Sequence, residues 1–162
     1  MERVLVDRSP GKDQPDGGRS GSRRLLLGLG VALAAVGWTD VASGWFPADL
    51  GSLEWEFGAI SGTFDSLPLG TLGLGLMAYA VLLAGTRRSL AILSSLHGVV
   101  ALGLVALLAL YGLDVPVALG GVPDAVAPTL RLAIVKTLAQ AVVYVAWYAW
   151  AAARLWRDRP RA

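Results

Sequence analysis

Residues 90–113 read LAILSSLHGVVALGLVALLALYGL, twenty-four positions without one Asp, Glu, Lys or Arg. A helix crossing a hydrocarbon layer of about 30 Å needs roughly 20 apolar residues, so this stretch is long enough to span it. Working outward, three further stretches have the same character: about 25–41, which ends at Trp38 and Thr39, a short glycine-rich run at about 69–86, and about 130–155. The 162 residues are 55% apolar and 16% charged, against about 25% charge in an ordinary soluble domain. The fold class read from this is all-α, an integral membrane four-helix bundle in one domain over 23–156. Polar tails flank it at 1–22 and 157–162.

Basic residues orient the chain. Arg3, Arg8, Lys12, Arg19, Arg23 and Arg24 precede the first span, Arg87 and Arg88 join the second to the third, and Arg154, Arg157, Arg159 and Arg161 follow the fourth. Only Arg131 and Lys136 lie elsewhere. Loops rich in Lys and Arg stay in the cytoplasm, so both termini are expected inside and the protein in the cell's inner (cytoplasmic) membrane as a multi-pass chain. Asp40, Asp49, Glu54, Glu56, Asp65, Asp114 and Asp124 then all fall outside. The basic tails are expected against anionic lipid, each cation contributing about 1 kcal/mol near the surface. Nucleic acid is not an expected partner, because no basic fold or aromatic platform accompanies the arginines. Ser22-Arg23-Arg24 before Leu25-Leu26-Leu27 also has the form of a twin-arginine export signal, with Val41-Ala42-Ser43 as a cleavage site. Three further spans favour an anchor.

The 1–22 segment, with Pro10 and Pro15, buries too little apolar surface to offset its ordering entropy and reads as disordered. In the first outer loop, Leu50, Leu53, Phe57, Ile60, Phe64 and Leu67 recur at helical spacing. They form the stripe of an amphipathic helix over about 52–67, capped by Ser52. With Trp55 as a headgroup anchor, this helix is expected in the outer interface, either as a lid over the bundle's own helix ends or as a partner surface. The second outer loop, 114–128, holds three prolines and reads as an irregular connector with one helical turn after Pro123.

Trp55, Phe57, Ile60, Pro68, Leu69 and Gly73, within 47–74, resemble the first outer loop and second-span start of the HpsJ-like membrane proteins. That family is associated with polysaccharide secretion in motile cyanobacterial filaments and has no assigned activity. The resemblance covers under a fifth of the chain, and Asp65-Ser66 departs from the charged pair the family pattern has before the proline. It implies a small accessory membrane component.

Few residues could carry chemistry. No cysteine is present, which excludes disulfides, thiolate catalysis and thiolate metal sites. Lys136 falls about seven residues into the fourth span, roughly 10 Å deep at 1.5 Å per residue. It shares one helix face with Gln140, Tyr144 and Trp147. Its expected partner is Asp40 or Asp114, and the alternative is a side chain that snorkels to the headgroups. His97, the only histidine, reads as a hydrogen-bonded packing residue beside Ser94 and Ser95, with ligation of a quinone or chlorophyll-type group as the alternative. Two-histidine haem ligation is impossible within one chain. Gly28-Leu-Gly30 and Gly73-Leu-Gly75 follow no strand and lack the third glycine of a dinucleotide fingerprint. Gly30, Ala34 and Gly37, and likewise Ala133, Thr137 and Ala141, are small-residue ridges that read as internal seams. Glu54 and Glu56 point about 200° apart on a helix, so no paired-carboxylate catalysis is indicated.

No catalytic residue, metal site or cofactor is therefore expected. The leading reading is a non-enzymatic accessory or scaffold subunit of a bacterial membrane complex, with the lipid bilayer and other membrane subunits or a second copy as partners. The alternatives are a small transporter or channel using the Lys136 face, and a membrane protein that binds a cofactor or quinone through His97.

Overall fold

The computed structural model describes residues 17–49, 51–84 and 86–159. Among these there are four α-helices and no strand: α1 (Gly17–Ser43), α2 (Leu53–Ala84), α3 (Arg87–Gly121) and α4 (Ala127–Arg157). All four are long and apolar enough to cross a membrane. The expected disorder of residues 1–16 and the stripe position Leu50 lie outside the described residues, whereas 17–22 already belong to α1.

Successive helices run antiparallel. Gly30 and Gly37 of α1 face Gly73 and Gly70 of α2, and Ser94 near the start of α3 donates its hydroxyl to the Ala152 carbonyl near the end of α4 at 2.9 Å. The backbone of α2 approaches α1, α3 and α4, whereas that of α1 approaches α2 alone. The small-residue ridge explains this attachment. A β-carbon on Gly37 would collide with the backbone of Gly70, and one on Gly73 with the backbone of Ala34. Such close approach is how helices pack in lipid, where no hydrophobic force distinguishes a neighbour from an acyl chain.

The largest correction concerns α2. The sequence reading separates an interfacial helix over 52–67 from a span over 69–86, divided at Pro68; the structure has one helix of 32 residues with Pro68 inside it. Proline removes one backbone hydrogen bond and sets its ring against the preceding turn. Pro68 is nevertheless on the exposed side, and the packing on the opposite side overrides the local cost. Ile60, Phe64, Leu67, Leu74, Ala78 and Val81 form one continuous buried stripe through it. At the N-terminus, Ser52 Oγ accepts from Trp55 N at 3.3 Å and Glu56 Oε1 from Gly51 N at 2.8 Å. These bonds satisfy two of the otherwise unpaired donors there.

The same override lengthens α3, which continues through Pro116 to Gly121 rather than stopping near Leu113. The irregular second outer loop thereby shrinks to a turn, in which Val126 N and Ala127 N both donate to Pro123 O. Pro128 falls in the first turn of α4, where its missing N–H costs nothing. The core follows α2: Ile60, Phe64, Leu67, Leu74, Leu104, Tyr111, Ile134, Ala141 and Tyr148 form the main cluster. A second cluster of Ala78, Val81, Leu90, Leu93 and Leu155 closes the end that carries the arginines.

Candidate functional site

Because α2 runs on through Pro68 and packs against α4, its residue Asp65 comes to face α4, and this decides the partner of Lys136. Lys136 Nζ lies 2.8 Å from Asp65 Oδ1, and Gln140 Nε2 donates to the same oxygen at 3.0 Å. The expected Lys136 contact with Asp40 or Asp114 is therefore replaced by one with Asp65. Asp40 is out of reach because α1 does not approach α4; it is exposed at the end of α1, where its carbonyl accepts from Ser43 Oγ at 2.8 Å. Lys136 and Asp65 keep 59% and 51% of their side-chain surface exposed, so the pair sits on the flank of the bundle. Tyr144, one turn further along that face, packs partly buried against the main core.

The amphipathic stripe of the first outer loop turns inward. Ile60 is 2% exposed and Phe64 and Leu67 are fully buried. Phe57 stacks on Tyr111 of α3 with ring centroids 4.5 Å apart. Leu53 is partly covered, and Trp55 meets Trp45 edge to face at 5.6 Å. Trp45 Nε1 donates to Thr63 Oγ1 at 2.9 Å, tying the α1–α2 connection onto α2. These residues hold the chain's own helices together, and their packing is what carries α2 past Pro68.

His97 is fully buried. Its Nδ1 lies 2.8 Å from the Leu93 carbonyl of its own helix, and its Nε2 has no hydrogen-bond partner. The Ser94 hydroxyl, three residues earlier, does not meet the ring but bonds across to the Ala152 carbonyl at 2.9 Å. The ring instead lies against Tyr148 of α4 at 5.6 Å, and the Tyr148 hydroxyl meets Thr71 Oγ1 of α2 at 2.9 Å. His97, Tyr148 and Thr71 thus link α3, α4 and α2 through a polar line that the sequence reading missed. Thr71 and Tyr148 are 77 positions apart, and neither belongs to a motif.

Among the described residues, two cavities on the bundle's sides bear on these side chains. One of about 460 Å³ lies where α1 and α3 diverge, lined by Ala34, Ala35 and Trp38 of α1, Leu74 and Met77 of α2 and Leu96 of α3. The other, of about 200 Å³, lies between α2 and α4 above His97, with Gly75, Tyr79, Trp147, Trp150 and Arg154 in its walls. Among the described residues, no group of three or more His, Asp or Glu side chains converges as a metal site would require. No protein-family model, curated protein or solved structure matches the chain.

Proposed function

We propose that this chain is a non-enzymatic accessory subunit of a bacterial membrane complex, held in the cytoplasmic membrane with both termini inside. The arginine-rich end supports the orientation: Arg23, Arg24, Arg87, Arg88, Arg154 and Arg157 gather where α1 begins, α2 meets α3, and α4 ends. With that end at the inner surface, a 30 Å layer takes up about 20 residues of each helix. The outer boundary then falls near Gly44 of α1, Asp65 of α2, Leu108 of α3 and Ile134 of α4. These four counts agree with the observed contacts, since Trp45 reaches Thr63 and Asp65 reaches Lys136. The ion pair is thereby placed at headgroup level, where two half-exposed charges cost little.

The residues of α2, α3 and α4 beyond this boundary form a short outer cap, and one feature of the cap carries the functional reading. Leu110, Leu113 and Val117 follow one another at helical spacing on α3 and are 53%, 72% and 62% exposed. In lipid an exposed leucine needs no explanation, but at and above headgroup level an apolar helix stripe marks a docking surface. Its occupant is an apolar segment of a second membrane subunit. A transport function has less support, because Lys136 and Gln140 are bonded to Asp65 and neither cavity is lined by Gln140 or Tyr144.

The test pairs wild type with a Leu113→Asp/Val117→Asp variant, each purified from its native membrane in mild detergent. A companion present in stoichiometric amount with wild type and lost from a still-folded variant supports the reading; retention by both, or absence from both, refutes it. The absence of cysteine makes orientation easy to check. Single cysteines at Asp124 and Ala162 should react with an impermeant thiol reagent from opposite sides.

A further inference from the structure

The cavity between α2 and α4 has the parts of a ligand site, and His97 supplies its chemistry. The Leu93 carbonyl can only accept, so Nδ1, 2.8 Å from it, carries the ring hydrogen. Nε2 of the neutral ring is then a bare lone pair, buried and without a partner. A buried acceptor left unpaired is costly, and it needs a donor that the surrounding chain does not provide. The cavity that His97 helps to line is walled by aromatic side chains, with the Trp147 and Trp150 rings 5.4 Å apart and Tyr79 on α2. Arg154 stands at the end nearest the membrane surface. Nε2 is covered while the cavity is empty, so admitting a ligand requires the wall to give. Trp147, Trp150 and Tyr79, 41%, 59% and 56% exposed, form its outer side, and binding there requires one of them to turn.

We propose that this cavity binds a lipid-soluble phenol or hydroquinone, whose ring hydroxyl donates to His97 Nε2 while its apolar tail leaves sideways into the bilayer. About 200 Å³ suits a small ring system and excludes a tetrapyrrole macrocycle. The polarity of the site is selective: an acceptor with no hydrogen to give favours the hydroquinone over its quinone, whose ring oxygens are themselves acceptors. This inference does not depend on the accessory reading, since a subunit with or without a companion can hold the ligand.

The protein is reconstituted into phosphatidylcholine nanodiscs and equilibrated with a decyl-tailed benzohydroquinone, its quinone or its bis-methyl ether. Bound ligand is measured by mass spectrometry against empty nanodiscs. Wild type should retain the hydroquinone about tenfold better than the ether, the scale set by one hydrogen bond made to a buried unpaired acceptor. His97→Phe should reduce hydroquinone retention to the level of the ether. His97→Gln, which can both donate and accept, should retain hydroquinone and quinone alike. Gly75→Leu tests the cavity without altering His97: its β-carbon has room, 3.9 Å from Trp147 Cζ2, but the rest of the side chain fills the space. Equal retention of hydroquinone and ether by wild type, retention no greater than in empty nanodiscs, or unchanged retention in folded His97→Phe would each overturn the proposal. So would a tetrapyrrole absorption band in the purified protein.

Discussion

Gly73→Ala adds a single methyl group, yet it strikes the seam where, among the described residues, the backbone of α1 meets the bundle. The new β-carbon would lie 2.7 Å from the Gly30 carbonyl oxygen and 2.8 Å from the Ala34 α-carbon, and would also collide with Ala34 N. All three are backbone atoms, which cannot rotate away as a side chain does, so α1 must move outward. Overpacking of this kind costs about 1–3 kcal/mol, and the rigid neighbours place Gly73 toward the upper end. Ala gains about 0.8–1 kcal/mol over Gly in helix propensity, which leaves a net loss of about 1–2 kcal/mol. Gly103→Ala on α3 is the control. It meets nothing within 4 Å and keeps the propensity gain, so the two variants should differ by about 2–3 kcal/mol. Reversible unfolding in mixed micelles, followed by far-ultraviolet circular dichroism, measures the difference. Gly73→Ala as stable as Gly103→Ala would refute the claim that backbone contact fixes this seam.

Three other perturbations follow from the same geometry. A double-mutant cycle on Asp65→Asn and Lys136→Gln should give a coupling of no more than about 1 kcal/mol, as for exposed pairs, and Asp40→Asn should show no coupling to Lys136. Larger coupling would place the pair inside the hydrocarbon. Tyr148→Phe should cost about 0.5–1.5 kcal/mol for the lost bond to Thr71, and Thr71→Val should add little once Tyr148 is replaced; the same unfolding assay reads both. Phe64→Ala should cost about 3–5 kcal/mol, because the side chain is fully buried. A loss below 1 kcal/mol would show that the segment before Pro68 packs less tightly than the structure has it.

The four helices are legible in the sequence because each depends on a property summed over some twenty residues, and one substitution hardly alters such a sum. Helix ends depend on single residues, and they are where reading and structure part. Pro68 and Pro116 look like stops because proline has a known local cost. What opposes that cost is burial against helices remote in sequence, of which the segment itself carries only a trace. That trace exists: Ile60, Phe64, Leu67, Leu74, Ala78 and Val81 keep one helical phase across Pro68. Following the phase of the apolar residues through the proline joins the 52–67 helix to the span after it, and carries Asp65 from an interfacial helix onto the spanning one.

The candidate sites show the same division. That Lys136, Gln140 and Tyr144 share a face follows from their spacing alone, whereas the identity of the acid opposite them depends on which helices touch. Asp40 and Asp114 match Lys136 in depth, but depth is one coordinate of three, and among the described residues the backbone of α1 approaches α2 and not α4. For His97, the residue type and its setting in an apolar span mark a polar group that must be satisfied. They leave open how many of its two nitrogens find a partner within the chain. Leu93 satisfies one because it precedes His97 by four residues, a helical neighbour. The other finds none, while the hydroxyl of Ser94, three residues earlier, goes across to Ala152. Whether that nitrogen is met depends on which side chains of α2 and α4 come opposite it, and no local pattern encodes that.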